Sequence, residues 1–224
     1  MHKHPPDSLS SRSRRRPPGR RLRPVRQHTA EPTGLSISTD HHTHRAALRH
    51  LSHYLSDSNK ILTAWDTYSE EHTDLDGWPR DDRAYGLRAS RRDADTATAF
   101  EPVRPGARHL LATAETQLIR LPKNSVQGRW IYQLGVLRNA LDRLDELHDE
   151  WETTRDSLPI TAQPGTPVYD DALAEHHAES WSYLDDWSTH GRAIREINTA
   201  ARSIRSPLAQ APSPAPARHA AARK

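Results

Sequence analysis

The sequence predicts an all-α protein: an antiparallel helical bundle of three long helices and one or two short ones, with disordered tails at both ends. Three observations predict it. Apolar residues recur at three- and four-residue spacing through most of 39–206, the period of a helix that buries one face. No stretch alternates apolar and polar residues over a useful length, as a half-buried strand does. Hydrophobic residues make up only 34% of the 224, below the roughly 45–50% of ordinary globular domains. The chain therefore divides into a basic arm over 1–38, an acidic bundle domain over 39–206 and a Pro/Ala-rich tail over 207–224.

Residues 1–38 hold several prolines and almost no apolar side chains, and 14–21 read Arg-Arg-Arg-Pro-Pro-Gly-Arg-Arg. Such a segment buries too little to offset its ordering entropy, so it is expected to be disordered. The first helix starts after Thr39 or Asp40, either of which can cap it. His44, Leu48, Leu51, Leu55, Ser58, Leu62, Trp65 and Ser69 form its seam, and Gly77 and Pro79 stop it. Ser56–Asn59 is a candidate break within it.

Residues 79–106 give the weakest pattern. A helix over 83–100 has poor apolar spacing, and Pro102, Pro105 and Gly106 follow it. A shorter helix over 106–121 carries Leu110, Leu111, Ala114, Leu118 and Leu121, and Pro122 ends it. The next runs from about 125 to 157, with Asn124 or Ser125 as cap. Trp130, Leu134, Leu137, Leu141, Leu144, His148 and Trp151 sit on it at alternating four- and three-residue steps. That is a coiled-coil-like heptad seam held for three repeats, suited to self-association or a partner helix. The last helix opens with Thr166 as cap and Pro167 at its first position. It runs to Pro207 on a face of Leu173, His177, Trp181, Leu184, Trp187, Gly191, Ile194, Ile197, Ala201 and Ile204. Tryptophans on these seams are expected in the core rather than as stacking platforms.

Charge is split along the chain. Residues 1–30 hold nine basic residues and one acid, and 205–224 hold four basic residues and none. With a total of +3, this leaves −9 for residues 31–204. Such an asymmetry points to contact between the arm and an anionic polymer or surface. Arg12, Arg14, Arg15, Arg16, Arg20, Arg21, Arg23 and Arg26 are the candidate contacts. Clustered arginine gains affinity by releasing counterions from phosphates, with little sequence preference. No aromatic residue is interleaved with them, so base stacking by the arm is not expected. A solubilising tail and an anionic lipid contact are the rival readings.

The absence of cysteine excludes a disulfide scaffold, a thiolate zinc site and a cysteine nucleophile. No apolar run approaches the ~18–20 residues of a membrane span, and no apolar segment follows the basic N-terminal stretch as in a secretory leader. A cytoplasmic protein is the expectation.

Two further constellations stand out. Asp142, Asp145, Asp149, Glu152 and Asp156 follow one another down one helix face. That face is a solvated surface, a dock for a basic partner, or a dock for the protein's own arm. His148 and His177 lie ten residues either side of the 158–167 connection, so a hairpin sets them in one layer, with Asp145 able to orient a ring. His44 or His72 of the first helix is the candidate third ligand of a metal site. Two core histidines are the simpler account, because Glu-x-x-His and His-Glu-x-x-His are both absent. The reading is therefore a non-enzymatic interaction protein with no cofactor. Its basic arm touches nucleic acid weakly and its acidic bundle binds a protein partner. The alternative is a metal-dependent helical-bundle enzyme or sensor.

Overall fold

No proline or glycine interrupts residues 35–72, so nothing in that stretch breaks the hydrogen-bond ladder of a helix. The computed structural model describes residues 35–205, and α1 runs unbroken over Leu35–His72. It absorbs residues 35–38, expected in the arm, and passes through Ser56–Asn59 without a break. The eight arm arginines and the Pro/Ala tail lie outside the described residues.

Five more helices follow: α2 (Asp82–Phe100), α3 (Arg104–Arg120), α4 (Gly128–Ser157), α5 (Pro167–His190) and α6 (Arg192–Arg205). The start of α2 is well determined chemically. The Asp81 carboxylate accepts from the backbone N–H groups of Arg83 and Ala84, both at 3.0 Å, filling two of the helix's unpaired donors. A 3-10 turn over Lys123–Ser125 takes up the residues expected to cap α4, so α4 begins at Gly128 without a side-chain cap. Thr166 precedes Pro167 as expected, but its hydroxyl binds the Gln163 carbonyl at 2.8 Å instead of capping α5.

The six helices pack as four antiparallel rods. α1 runs one way and α2 with α3 returns; α4 then runs with α1, and α5 with α6 returns again. Contacts along the rods fix these directions: Tyr54 meets Phe100 while Trp65 meets Tyr85, and Trp151 meets Tyr169 while Tyr132 meets His190.

The last predicted helix is divided at Gly191, a position tight against both α1 and the preceding turn of α5. A Cβ on Gly191 would lie 3.2 and 3.3 Å from the Leu55 and Leu51 side chains and 2.5 Å from the Trp187 carbonyl. Gly106, at the start of α3, approaches α1 as closely, since a Cβ there would lie 2.9 Å from that of Ala47. The second and fourth rods are therefore both jointed where α1 presses on them. Tyr54, Phe100 and Trp187 fill this level edge to face, with centroids 5.1 and 5.3 Å apart, and the Tyr54 hydroxyl donates to the Leu184 carbonyl at 2.5 Å.

The α4 seam is consumed inside the chain. Leu134, Leu137, Ala140, Leu141, Leu144 and Leu147 are all buried, each leucine contributing about 1.5–3 kcal/mol. Trp130, Trp151 and Trp187 are buried, as expected, whereas the seam residues Trp65 and Trp181 are only partly buried, and Trp78 in the α1–α2 connection is exposed. Among the described residues no helix is long and apolar enough to cross a membrane.

Candidate functional site

The joint divides the bundle into two ends of opposite charge. One end comprises residues 41–54, 104–144 and 192–204, with twelve Arg and Lys against three Asp and Glu. The other comprises residues 55–103 and 145–191, with seven Arg and Lys against twenty-three Asp and Glu. The first described turns of α1 and the last of α6 both belong to the basic end. The arm and the tail are thus joined to it covalently.

The basic end holds a cavity of about 500 Å³ between α1, α3 and α6, within the usual range of ligand pockets. α1 contributes His41, His44 and Arg45; α3 contributes His109, Gln117 and Arg120; α6 contributes Asn198 and Arg202. None of the described lining residues is Asp or Glu. Asn198, only 7% exposed, organises the polar wall. Its Oδ1 accepts from His44 Nε2 at 3.2 Å and from Gln117 Nε2 at 3.3 Å. His109 meets His44 edge to face at 5.4 Å. Burial holds the His44 pKa below its usual value; the Asn198 hydrogen bond opposes this, and His109, Arg202 and His41 reinforce it.

A second cationic cavity, of about 560 Å³, lies at the joint, where Lys60, Arg192 and Arg195 stand among hydroxyls including Ser52 and Ser58. Ser58 is fully buried and its Oγ has no partner.

The predicted site residues are distributed differently. Arg108 of α3 reaches across to α4, donating to Asp142 at 2.9 Å and to Asp145 at 2.7 Å, and Arg104 lies 3.6 Å from Asp145. Two members of the acidic stripe are thus paired to α3 at the bundle surface. Glu152 and Asp156 pair with Arg155 on the same helix, and Asp149 makes no side-chain pair with any described residue.

His148 and His177 face different neighbours. α5 packs against both α2 and α4, so adjacent positions on it look opposite ways. His177 faces Asp93 and Glu101 of the second rod. His176 is the one that meets α4, stacking on Trp151 at 5.6 Å and feeling the charge of His148. His148 lies 3.8 Å from Glu152. His44 is at the other end of the bundle, beside Asn198. Among the described residues, no three His, Asp or Glu side chains are grouped as metal ligands.

Sequence reading missed His109, Gln117 and Asn198. Their only signal lies in polar side chains on otherwise apolar faces of α3 and α6, and the pairing of those helices had to be known first. No protein-family model, curated protein or solved structure matches this chain.

Proposed function

We propose that this chain is a non-enzymatic helical interaction protein whose basic end contacts nucleic-acid phosphates and whose acidic end docks a protein partner. The observation that carries this reading is the charge division, twelve basic against three acidic residues at one end and seven against twenty-three at the other. The Arg12–Arg26 cluster joins the chain ahead of α1 and adds eight arginines to the basic end. Phosphate contact of this kind is electrostatic and indifferent to sequence. A pocket of like-charged groups favours capture of an anion, whereas acid–base catalysis uses paired groups of unlike pKa. The exposed carboxylates Asp149, Glu152 and Asp156 offer the complementary surface for a basic partner.

Binding of a labelled oligonucleotide across a salt series tests the nucleic-acid contact, comparing the full chain with a full-length variant in which the eight arm arginines are serine. Engagement of all eight gives a log–log slope of about −7 on duplex DNA, at ~0.9 per phosphate. The variant should lose most of that slope. Unchanged affinity in the variant, or no binding by the full chain, would overturn the reading.

A further inference from the structure

We propose that the α1–α3–α6 pocket is a binding site for a terminal phosphate, a phosphomonoester group. The inference rests on the phosphate-binding reading above and sharpens it to one chemical group. The first argument is charge. Arg45, Arg120 and Arg202 stand with three histidines around the cavity, and no described carboxylate lines it. Arg45 and Arg120 make no ion pair with any described residue. Two exposed guanidiniums with no carboxylate partner among the described residues, held on different helices, form an electrostatic clamp suited to an oxyanion.

Proton inventory is the second argument. Asn198 Oδ1 can only accept, so His44 Nε2 carries the hydrogen it shares with Asn198. Gln117 likewise gives its amide N–H to Asn198. His44 Nδ1 and Gln117 Oε1, beneath the pocket wall, are left without partners. A second proton on His44 creates a charged Nδ1–H donor, while Gln117 Oε1 requires a donor from the ligand. A phosphomonoester monoanion supplies both functions: its bare oxygens accept from Nδ1–H, and its remaining P–OH, which ionises near pH 6, donates to Gln117 Oε1. A phosphodiester or sulfate has acceptor oxygens but no proton to give.

Proton linkage is the third. The groups facing His44 are His41 and Arg45 on its own helix, His109 and Arg120 on α3, and Arg202 on α6. All are cationic or become so on protonation; burial first, and then His109, Arg202 and His41, make His44 resist a proton in the free protein. A bound phosphate monoanion opposes that field and keeps its own P–OH for Gln117, so the proton that reaches His44 is taken up from solvent.

The test is calorimetry on the full chain near pH 6.5 with inorganic phosphate, run in two buffers of different ionisation enthalpy. Sulfate is the control anion. Oligonucleotides of one sequence bearing a 5′-phosphate or a 5′-hydroxyl are compared alongside. Phosphate should bind one to one with net proton uptake and at least about tenfold more tightly than sulfate. The 5′-phosphate should bind more tightly than the 5′-hydroxyl by a similar factor, and Arg120→Gln should erase that difference. His44→Gln, which retains an amide that can reach Asn198, should abolish the proton uptake without changing the melting temperature. Equal binding of phosphate and sulfate, or binding without proton uptake, would overturn the assignment. Phosphate binding without oligonucleotide binding would support the pocket and remove the nucleic-acid reading. Equal binding of both oligonucleotides, with phosphate silent, would do the reverse.

Discussion

The two ends of the bundle are built from the same four rods, yet Arg92 at one and Arg45 and Arg120 at the other stand in opposite settings. At the acidic end, Arg92 is held between Trp65 and Trp181, its guanidinium 4.4 and 3.8 Å from the ring centroids. It also pairs with the buried Asp93 at 2.6 Å. Arg88 lies over Tyr68, and Arg155 pairs with Asp156. At the basic end, Arg45 and Arg120 stand around a cavity with no described carboxylate. An arginine flanked by aromatic faces and a buried acid is part of the packing, whereas one at an open pocket is available to a ligand. Arg104, Arg108, Arg129, Arg138 and Arg143 of the basic end are ion-paired too, so the contrast lies between Arg92 and the pocket residues Arg45 and Arg120, and it can be broken in stages.

The largest effect is expected at the joint that the two ends share. Gly191→Val puts a branched side chain against Leu51 and Leu55, where a Cβ alone already comes within 3.3 Å. α1 must move away from Trp187, or α6 must swing. Chemical denaturation should show a loss of about 3 kcal/mol or more, affecting both ends because α1 runs through both. A variant as stable as the parent would mean that the fourth rod is not jointed by this contact.

Next in size is Arg92→Ala. It removes the ion-pair partner of Asp93, which is 5% exposed, and leaves Trp65 and Trp181 without the plate between them. Stranding a buried carboxylate costs about 3 kcal/mol. Arg120→Ala, at the other end, removes a pocket side chain and should change stability by less than about 0.5 kcal/mol. Similar values for the two variants would end the distinction between structural and available arginine.

Acid pH gives a third, intermediate effect. Burial, then the neighbouring His177 and His148, lowers the His176 pKa to about 4, and the His44 and His177 values are lowered too, burial first in each case. His177, His148 and Arg104 act in the same direction as burial. A histidine whose folded pKa is depressed adds stability above its unfolded value near 6.5. That stability is lost as pH falls toward the folded value. Melting temperature should therefore drop between pH 6.5 and 4, and His176→Gln should flatten that drop by on the order of 1 kcal/mol after allowing for solvent screening. An unchanged acid limb in His176→Gln would show that another group dominates.

Helix periodicity alone makes the rods legible. The α4 seam from Trp130 to Trp151 reads directly from spacing, and the start of α5 from the preference for proline in a first helical turn, although Thr166 does not cap it. Two kinds of feature do not. The joint at Gly191 depends on how closely α1 approaches, and no local pattern encodes the distance between rods. The pocket depends on three helices being paired correctly, so His44, Gln117 and Asn198, 154 residues apart at the extremes, carry no joint signal in one dimension. The histidine layer shows the same limit at finer grain. Spacing sets a histidine of α5 opposite His148, but which of His176 and His177 turns toward α4 follows from α5 packing against two neighbours at once.

The smallest expected effect concerns the bridge between the two kinds of charge. Arg108 sits on α3 at the basic end and donates to both Asp142 and Asp145 of α4. These contacts raise its pKa, with the Asp145 and then the Asp142 hydrogen bonds as the leading causes. The guanidinium is 63% exposed, so water and salt screen the pairs, and surface bridges of this kind are worth about 0–1 kcal/mol. Arg108→Ala should therefore cost less than about 1 kcal/mol in low salt and almost nothing in high salt. Its effect on binding is the more telling readout. Removal of one positive charge and release of Asp142, with Asp145 left to Arg104 alone, make the basic end less positive and should weaken oligonucleotide binding by a few-fold at low ionic strength. If affinity stays the same while stability falls by more than about 1 kcal/mol, Arg108 belongs with Arg92 as a packing residue, and the boundary between the two ends lies on α3 itself.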